Sequence, residues 1–196
     1  MPKPKETLPE NYFDDVYKAN EDPWSFETSE YERGKYEATL KAMPRDVYKN
    51  AFEIGCSIGV LTIMLASRCK ALLAVDSVEA PLEKARKRLH EQKQVIIGKM
   101  AVPGEFPGDE FDLIIVSEVG YYLSTEDLQL LIRKVIDHLL PGGQLLLVHW
   151  TPDVPDYPLT GDEVHDAFMQ QSGDEKPLRL LLHQREEKYR LDLFEK

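Results

Sequence analysis

Cysteine is nearly absent: Cys56 and Cys69 are the only two in 196 residues. They allow one bridge at most. A domain of this length buries roughly 70% of the surface its unfolded chain exposes and needs none. The N-terminal stretch MPKPKETLPENYF lacks the apolar core of a secretory leader, so both thiols are expected to be reduced in a cytoplasmic protein. No apolar run approaches the roughly 18 residues of a membrane span. Bases are scarce as well, with 24 Lys and Arg against 35 Asp and Glu, a formal charge of −11. Neutralising phosphates requires a basic face, so the balance argues against a nucleic-acid partner and against docking on anionic lipid. His165 and His183 stand at no spacing from acids or cysteines that a metal site uses, and no metal is expected.

What is present is an ordinary globular composition, 42% hydrophobic and 30% charged, over a length that suits one domain. The charge is unevenly spread. Residues 1–100 carry 16 acids and 16 bases, and residues 101–196 carry 19 acids and 8 bases, so the second half holds the whole surplus. That surplus is either a solvated surface or the lining of a site for a cationic ligand.

The first 45 residues read as an arm. The run Ser29–Met43 has helical spacing and stops at Pro44. An alternation follows: strands at Ala51–Gly55, Ala71–Asp76, Val95–Gly98, Phe111–Glu118 and Gln144–Trp150. Helices fall at Val60–Arg68, Ala80–His90 and Ser124–Leu140, the last capped by Ser124 and ended by Pro141-Gly142-Gly143. Continuous apolar strands between helices predict a parallel sheet covered on both faces, an α/β fold. Beyond Trp150, TPDVPDYPLTGD reads as a surface loop. Thr160 or Asp162 caps a short helix to Met169, and Leu178–Gln184 and Tyr189–Phe194 read as two last strands.

The segment Glu53-Ile54-Gly55-Cys56-Ser57-Ile58-Gly59 lies between the first strand and its helix. Small residues there let a backbone approach a ligand, although any strand-to-helix turn also favours them. Asp76 follows Glu53 by 23 positions, where an acid holds the hydroxyls of a ribose, or else caps the next helix. The spacing is G-x-S-x-G, whereas a dinucleotide site uses G-x-G-x-x-G. An acid beside the loop repels a pyrophosphate and favours a cation such as the sulfonium and ammonium of S-adenosylmethionine. An NAD-linked oxidoreductase and a cofactor-binding module without catalysis remain as rivals.

The set EIGCSIG, AVDS, FDLIIVSE and LLPGGQLLLV resembles the class I S-adenosylmethionine-dependent methyltransferases. More narrowly, DPWSFETSEYERGKY, SEVGYYL and VHW resemble the nodulation protein S family, whose founding members methylate an amino group of a chitin oligosaccharide. The resemblance implies a Rossmann-like, seven-stranded, mostly parallel sheet with its last strand antiparallel. It implies a helical arm over residues 1–45 that covers the cofactor, on a binding domain of residues 46–196. It implies cofactor contacts at Glu53, Gly55, Cys56, Ser57 and Gly59, at Asp76 and Ser77, at Met100 and Ala101, and at Ser117. Trp24, Tyr31, Arg33 and Lys35 would belong to the covering helix, a cation there pairing the cofactor carboxylate. Glu118, Tyr121, Tyr122 and His149 cluster at strand ends that should face the acceptor. Glu118 and His149 are expected to hold and deprotonate an amine while Tyr121 or Tyr122 orients it. Trp150 and Tyr157 offer surfaces for a sugar. The reaction so implied is methyl transfer to nitrogen of an amino sugar or another small amine, with oxygen or carboxylate acceptors as alternatives.

Overall fold

The computed structural model describes residues 5–196; the first four residues of the expected arm lie outside the described residues. The arm carries two helices, α1 (Glu10–Ala19) and α2 (Glu30–Ala42). Then come β1 (Ala51–Ile54), α3 (Val60–Ala66), β2 (Leu72–Asp76), α4 (Glu79–Arg88), β3 (Val95–Lys99) and β4 (Phe111–Ser117). A 3-10 turn at Gly120–Tyr122 leads to α5 (Thr125–His138), β5 (Leu139–Trp150), α6 (Gly161–Met169), β6 (Arg179–Arg185) and β7 (Tyr189–Glu195).

The strands form one seven-stranded sheet in the order β3-β2-β1-β4-β5-β7-β6. β1 to β5 pair in parallel, and β7 runs antiparallel between β5 and β6. This is the fold of the class I methyltransferases, with the antiparallel closing strand the resemblance implies. Side chains alternate across the sheet. Phe52, Ile54, Ile114, Val116, Leu145 and Leu147 face α5, which buries Leu128, Leu131, Ile132 and Val135 on them. Ala51, Leu113, Ile115, Leu146 and Val148 face the other way, against Tyr36 of α2 and Leu61 and Leu65 of α3.

Two caps match their sequence signals. Ser124 accepts the Asp127 N–H, and Thr160 and Glu163 form a reciprocal capping box. Two expectations need correction. α5 stops at His138, not at the Pro-Gly-Gly step, because Leu139 already pairs with Phe111. Pro141-Gly142-Gly143 is absorbed in a register break, so Leu113 lies opposite Gln144. The arm also holds a helix, α1, that no sequence signal separated from its surroundings; Phe13 and Tyr17 fasten it over Ile58 and Val78.

Candidate functional site

Strand order reverses at β1, which has β2 on one side and β4 on the other. In open α/β sheets a crevice opens at this point, beyond the carboxyl ends of the strands. Here it holds a cavity of about 570 Å³, within the usual range for small-molecule sites. Its floor is Gly55 and Ser57 after β1, Asp76 and Ser77 at the end of β2, Met100 and Ala101 after β3, and Ser117 and Glu118 after β4. Phe13 and Tyr17 of α1, then Trp24, Phe26, Tyr31 and Lys35, line it from the arm. Tyr121, Tyr122, Trp150 and Tyr157 form the far wall, where the Tyr121 and Tyr157 rings stack 5.1 Å apart.

The loop after β1 is drawn onto β2. Ser57, at φ 47°, donates its N–H to Asp76 Oδ2 at 3.0 Å, and its hydroxyl meets the Tyr17 hydroxyl at 2.6 Å. Asp76 Oδ1 accepts the Val78 N–H at 3.2 Å, so Asp76 caps the turn into α4 while facing the cavity. Burial pushes its carboxyl up to about 6, although the N–H groups of Ser57 and Val78 pull it down.

Glu118 is the most constrained side chain of the site. It sits in the left-handed region at φ 57°, a strain of about 1–3 kcal/mol that surrounding contacts must hold. Its N–H donates to Val148 O at 2.9 Å. Its Oε1 accepts from Lys35 Nζ at 2.6 Å, and its Oε2 accepts the Tyr121 hydroxyl at 2.6 Å and the Trp150 N–H at 2.9 Å. Lys35, 2% exposed, also donates to Glu32 at 3.0 Å. Burial would lower the Lys35 ammonium, but the carboxylates of Glu118 and Glu32 outweigh it and raise it. Lys35 is therefore matched inside the protein by two acids rather than left open for a carboxylate of a ligand.

Five expected site residues lie elsewhere. Arg33 is exposed and lines no part of the cavity, because α2 turns Glu32, Lys35 and Tyr36 inward. Cys56 packs its side chain on Ala74 and Leu82, and burial pushes its thiol well up. Gly59, at φ 77°, caps the start of α3 and does not line the cavity; a Cβ there would stand 3.1 Å from the Ala85 Cβ, so the glycine lets α3 and α4 pack closely. Glu53 points to the α3 side of the sheet, beneath the loop, into a space of about 30 Å³ shared with Tyr36 and Glu118. Its Oε2 has no hydrogen-bond partner among the described residues, and burial pushes the carboxyl up to about 7. His149 does not face the cavity at all. It is fully buried, its Nε2 accepting the Gly120 N–H at 3.1 Å and its Nδ1 3.1 Å from His165 Nε2. It points toward α6, as the alternation along β5 requires when Leu145 and Leu147 face the helices.

Sequence reasoning missed Glu32, which the i, i+3 spacing to Lys35 signals on one helix face. It also missed the partners of His149, since His165, Asp192 and Arg190 come from α6 and β7 with no local signal. His138, at the end of α5, is half-buried with its ring 4.7 Å from that of Phe106. Among the described residues no cluster of acids, histidines and cysteines fits a metal ion, and no helix is long and apolar enough to cross a membrane.

Comparison with known proteins places this geometry. The sequence model of the nodulation protein S (NodS) family matches residues 14–153. Nodulation protein S of Bradyrhizobium diazoefficiens is 32% identical over 130 residues, 65% of this chain and 62% of that protein. Its counterpart in Rhizobium tropici is 30% identical over 131 residues, 65% and 55% of the two chains. The match thus spans about 60% of the length of these relatives. Among solved structures, the N-methyltransferase NodS from Bradyrhizobium japonicum WM9 in complex with S-adenosyl-L-homocysteine superposes with a TM-score of 0.84 at 22% identity. That likeness covers 95% of this chain and 97% of the other and speaks for the fold. A proposed methyltransferase from Pseudomonas syringae is 36% identical, with a TM-score of 0.73, over 85% of this chain and 99% of the other. The chain belongs to the nodulation protein S family.

Proposed function

We propose that the chain is an S-adenosylmethionine-dependent methyltransferase acting on the amino group of a small acceptor, an amino sugar being the class that fits best. One observation carries the cofactor reading. Among the described residues the cavity is lined by four carboxylates, Glu10, Glu32, Asp76 and Glu118, against a single cation, Lys35, and no arginine. A pyrophosphate would meet repulsion there, while a sulfonium and an ammonium gain from it. The residues present fit the cofactor at its ribose and its base. Asp76 has lone pairs left for two ribose hydroxyls beyond the N–H groups it accepts, and Met100, Ala101 and Val102 make an apolar slot for a base. When bound, S-adenosylmethionine supplies a methyl group on a leaving group that is already activated.

This chain's part is binding, alignment and the exclusion of water. In-line attack depends on holding nucleophile and methyl carbon close and collinear. Ser117 and Glu118 stand on the cavity floor beside that point, and the described part of the arm, residues 5–45, acts as its cover. Glu118 receives the ammonium or amine of the acceptor at its cavity-facing edge, with Tyr121 keeping the carboxylate oriented. Its oxygens are shared among Lys35, Tyr121 and the Trp150 N–H, which favours a role in holding the amine over one as a free base. Trp150, Tyr157 and Tyr31 supply rings for the faces of a sugar. In the crystal complex above, a NodS of the same family holds S-adenosyl-L-homocysteine, which supports the cofactor reading. Buried free thiols at Cys56 and Cys69 fit a cytoplasmic protein.

Calorimetry with S-adenosylhomocysteine and with NAD tests the cofactor. S-adenosylhomocysteine should bind in the micromolar range or tighter and NAD should not, and the reverse would overturn the reading. A radiolabelled-methyl screen over amino sugars, small amines, alcohols and carboxylic acids tests the acceptor. Label entering only oxygen acceptors would overturn the N-methylation reading while leaving the cofactor assignment intact.

A further inference from the structure

We infer that the buried line Asp192–His165–His149 is a positioning device that fixes the turn carrying Glu118 and Tyr121 by gripping the backbone amide of Gly120. The line crosses three elements. Asp192 on β7 and His149 on β5 share the α6 face of the sheet, and His165 descends from α6 between them. All three are fully buried. His165 Nδ1 stands 2.8 Å from Asp192 Oδ2, and His149 Nδ1 stands 3.1 Å from His165 Nε2.

One backbone group sets every proton along it. The Gly120 N–H donates to His149 Nε2, so that nitrogen carries no proton. The His149 proton then sits on Nδ1 and is donated to His165 Nε2. His165 in turn carries its proton on Nδ1 and donates it to Asp192. Both rings must be neutral for this order to hold. Burial holds both histidines below the usual imidazole range, His149 strongly, with Lys35 and His165 adding to the effect there. Asp192 is the fixed acceptor at the far end, since it also takes Arg190 Nε–H at 2.9 Å and His183 Nδ1 at 2.6 Å. Arg190 is held from α6 as well, by Asp166 at 2.7 Å.

The line ends in a peptide amide, which does not titrate, and His149 does not line the cavity. It therefore cannot carry a proton to an acceptor, and positioning is the function left to it. What it holds needs holding. Glu118 is strained at φ 57°, and the turn presses directly on α6: a Cβ on Gly120 would stand 2.5 Å from Val164 Cγ1 and 3.1 Å from His149 Nε2. Lys35, Tyr121 and the Trp150 N–H grip the carboxylate of Glu118 from the cavity side, and His149 grips the backbone two residues later from the core side. The purpose of the turn rests on the methyl-transfer reading; the hydrogen-bond order does not.

The test uses the full chain labelled with 15N-histidine and long-range 1H–15N spectra, which read the tautomer of each ring. His149 and His165 should both be neutral near pH 7 with the proton on Nδ1. A proton on Nε2 of either, or an imidazolium, would overturn the proposal. Two variants then separate grip from packing. In His165→Gln the side-chain carbonyl can still accept the His149 Nδ1–H, and exchange of the Gly120 amide should stay near the wild-type rate. In His165→Leu nothing accepts it, and exchange should quicken by about tenfold, the weight of one neutral hydrogen bond. Wild-type exchange in the leucine variant would overturn the proposal. If that variant does not fold, the wild-type tautomers and the glutamine variant decide. S-adenosylhomocysteine affinity is measured in parallel and should be unchanged in His165→Gln. A wild-type chain that fails to bind it would refute the methyl-transfer reading and leave the tautomer result standing on its own.

Discussion

Asp76→Asn separates what Asp76 does for a ligand from what it does for the fold. Its carboxyl is pushed up to about 6 by burial, from an ordinary 3.8. A raised carboxyl destabilises the folded chain once ionised: the cost begins above the unfolded value, grows as pH climbs to about 6, and then levels. At 1.36 kcal/mol per unit, that cost reaches at most about 3 kcal/mol at neutral pH. The amide removes it, but brings one oxygen to a place where the N–H groups of both Ser57 and Val78 need acceptors, an opposing loss of about 1–3 kcal/mol. The two nearly cancel, so the ligand-free variant should melt close to the wild type at pH 7.5. Its ligand affinity should not be spared. Two ribose hydroxyls lose a charged acceptor for a neutral one, about 1 kcal/mol each, which multiplies the Kd for S-adenosylhomocysteine about 30-fold. The pH dependence is the sharper readout. Wild-type affinity should weaken roughly tenfold from pH 7 to pH 5 as Asp76 takes up its proton, while the asparagine variant should lose its dependence over that window. Titration calorimetry at several pH values measures both. A variant Kd within about threefold of wild type, or two parallel pH curves, would refute the assignment of Asp76 to the ribose.

Glu53 lies 1% exposed with its carboxyl pushed from 4.5 up to about 7, so its cost to stability grows as pH climbs between those values and then levels. Glu53→Gln should raise the urea-unfolding free energy by about 1 kcal/mol or more at pH 8, with the gain gone at pH 4.5, where both side chains are neutral. Lys35→Met leaves Glu32 and Glu118 buried without their cation and should destabilise the chain by about 3–5 kcal/mol in the same assay. A loss under about 1 kcal/mol there would mean that the three charges are far better hydrated than their burial implies. Arg33→Ala, by contrast, should change S-adenosylhomocysteine affinity by less than about twofold and stability by less than about 0.5 kcal/mol, as for any exposed helix position.

Much of the cofactor half was readable because its signals are local. Strand, loop and acid follow one another within 24 residues, from Glu53 to Asp76, and the parallel fold forces the ends of β1 and β2 side by side. Gly55, Ser57, Asp76, Ser77, Met100 and Ala101 all reach the cavity for that reason. Two errors inside this half share one cause. Cys56 and Gly59 belong to the same loop as Gly55 and Ser57, but α4 and its C-cap lie beneath them, Leu82 taking the Cys56 side chain and Ala85 and Leu89 closing on Gly59. A motif states which residues share a loop and not which of them face the ligand. Arg33 fails similarly: two cations two positions apart on a helix cannot face the same way, and the acid at Glu32 already marks Lys35 as the inward one.

The acceptor half was less legible because it is decided by strand parity and by partners far along the chain. His149 and Trp150 are neighbours in sequence, so they must lie on opposite faces of β5. Trp150 reaches the cavity and its N–H binds Glu118; His149 consequently meets α6 and β7. Counting back from Trp150 to the apolar run Leu145–Val148 would have placed His149 with Leu145 and Leu147, on the helix-covered face. A histidine sealed there in a line of neutral hydrogen bonds is a poor base, for protonating it would strand a charge beside His165 with no acceptor at Gly120. If the acceptor is an amine, as proposed, its deprotonation is then met on the cavity side, by water, or by an acceptor whose amine arrives neutral. The last case makes a distinct demand: the apparent KM of an amine acceptor should fall with rising pH toward the amine's own pKa, and should do so in both wild type and the His165→Gln variant.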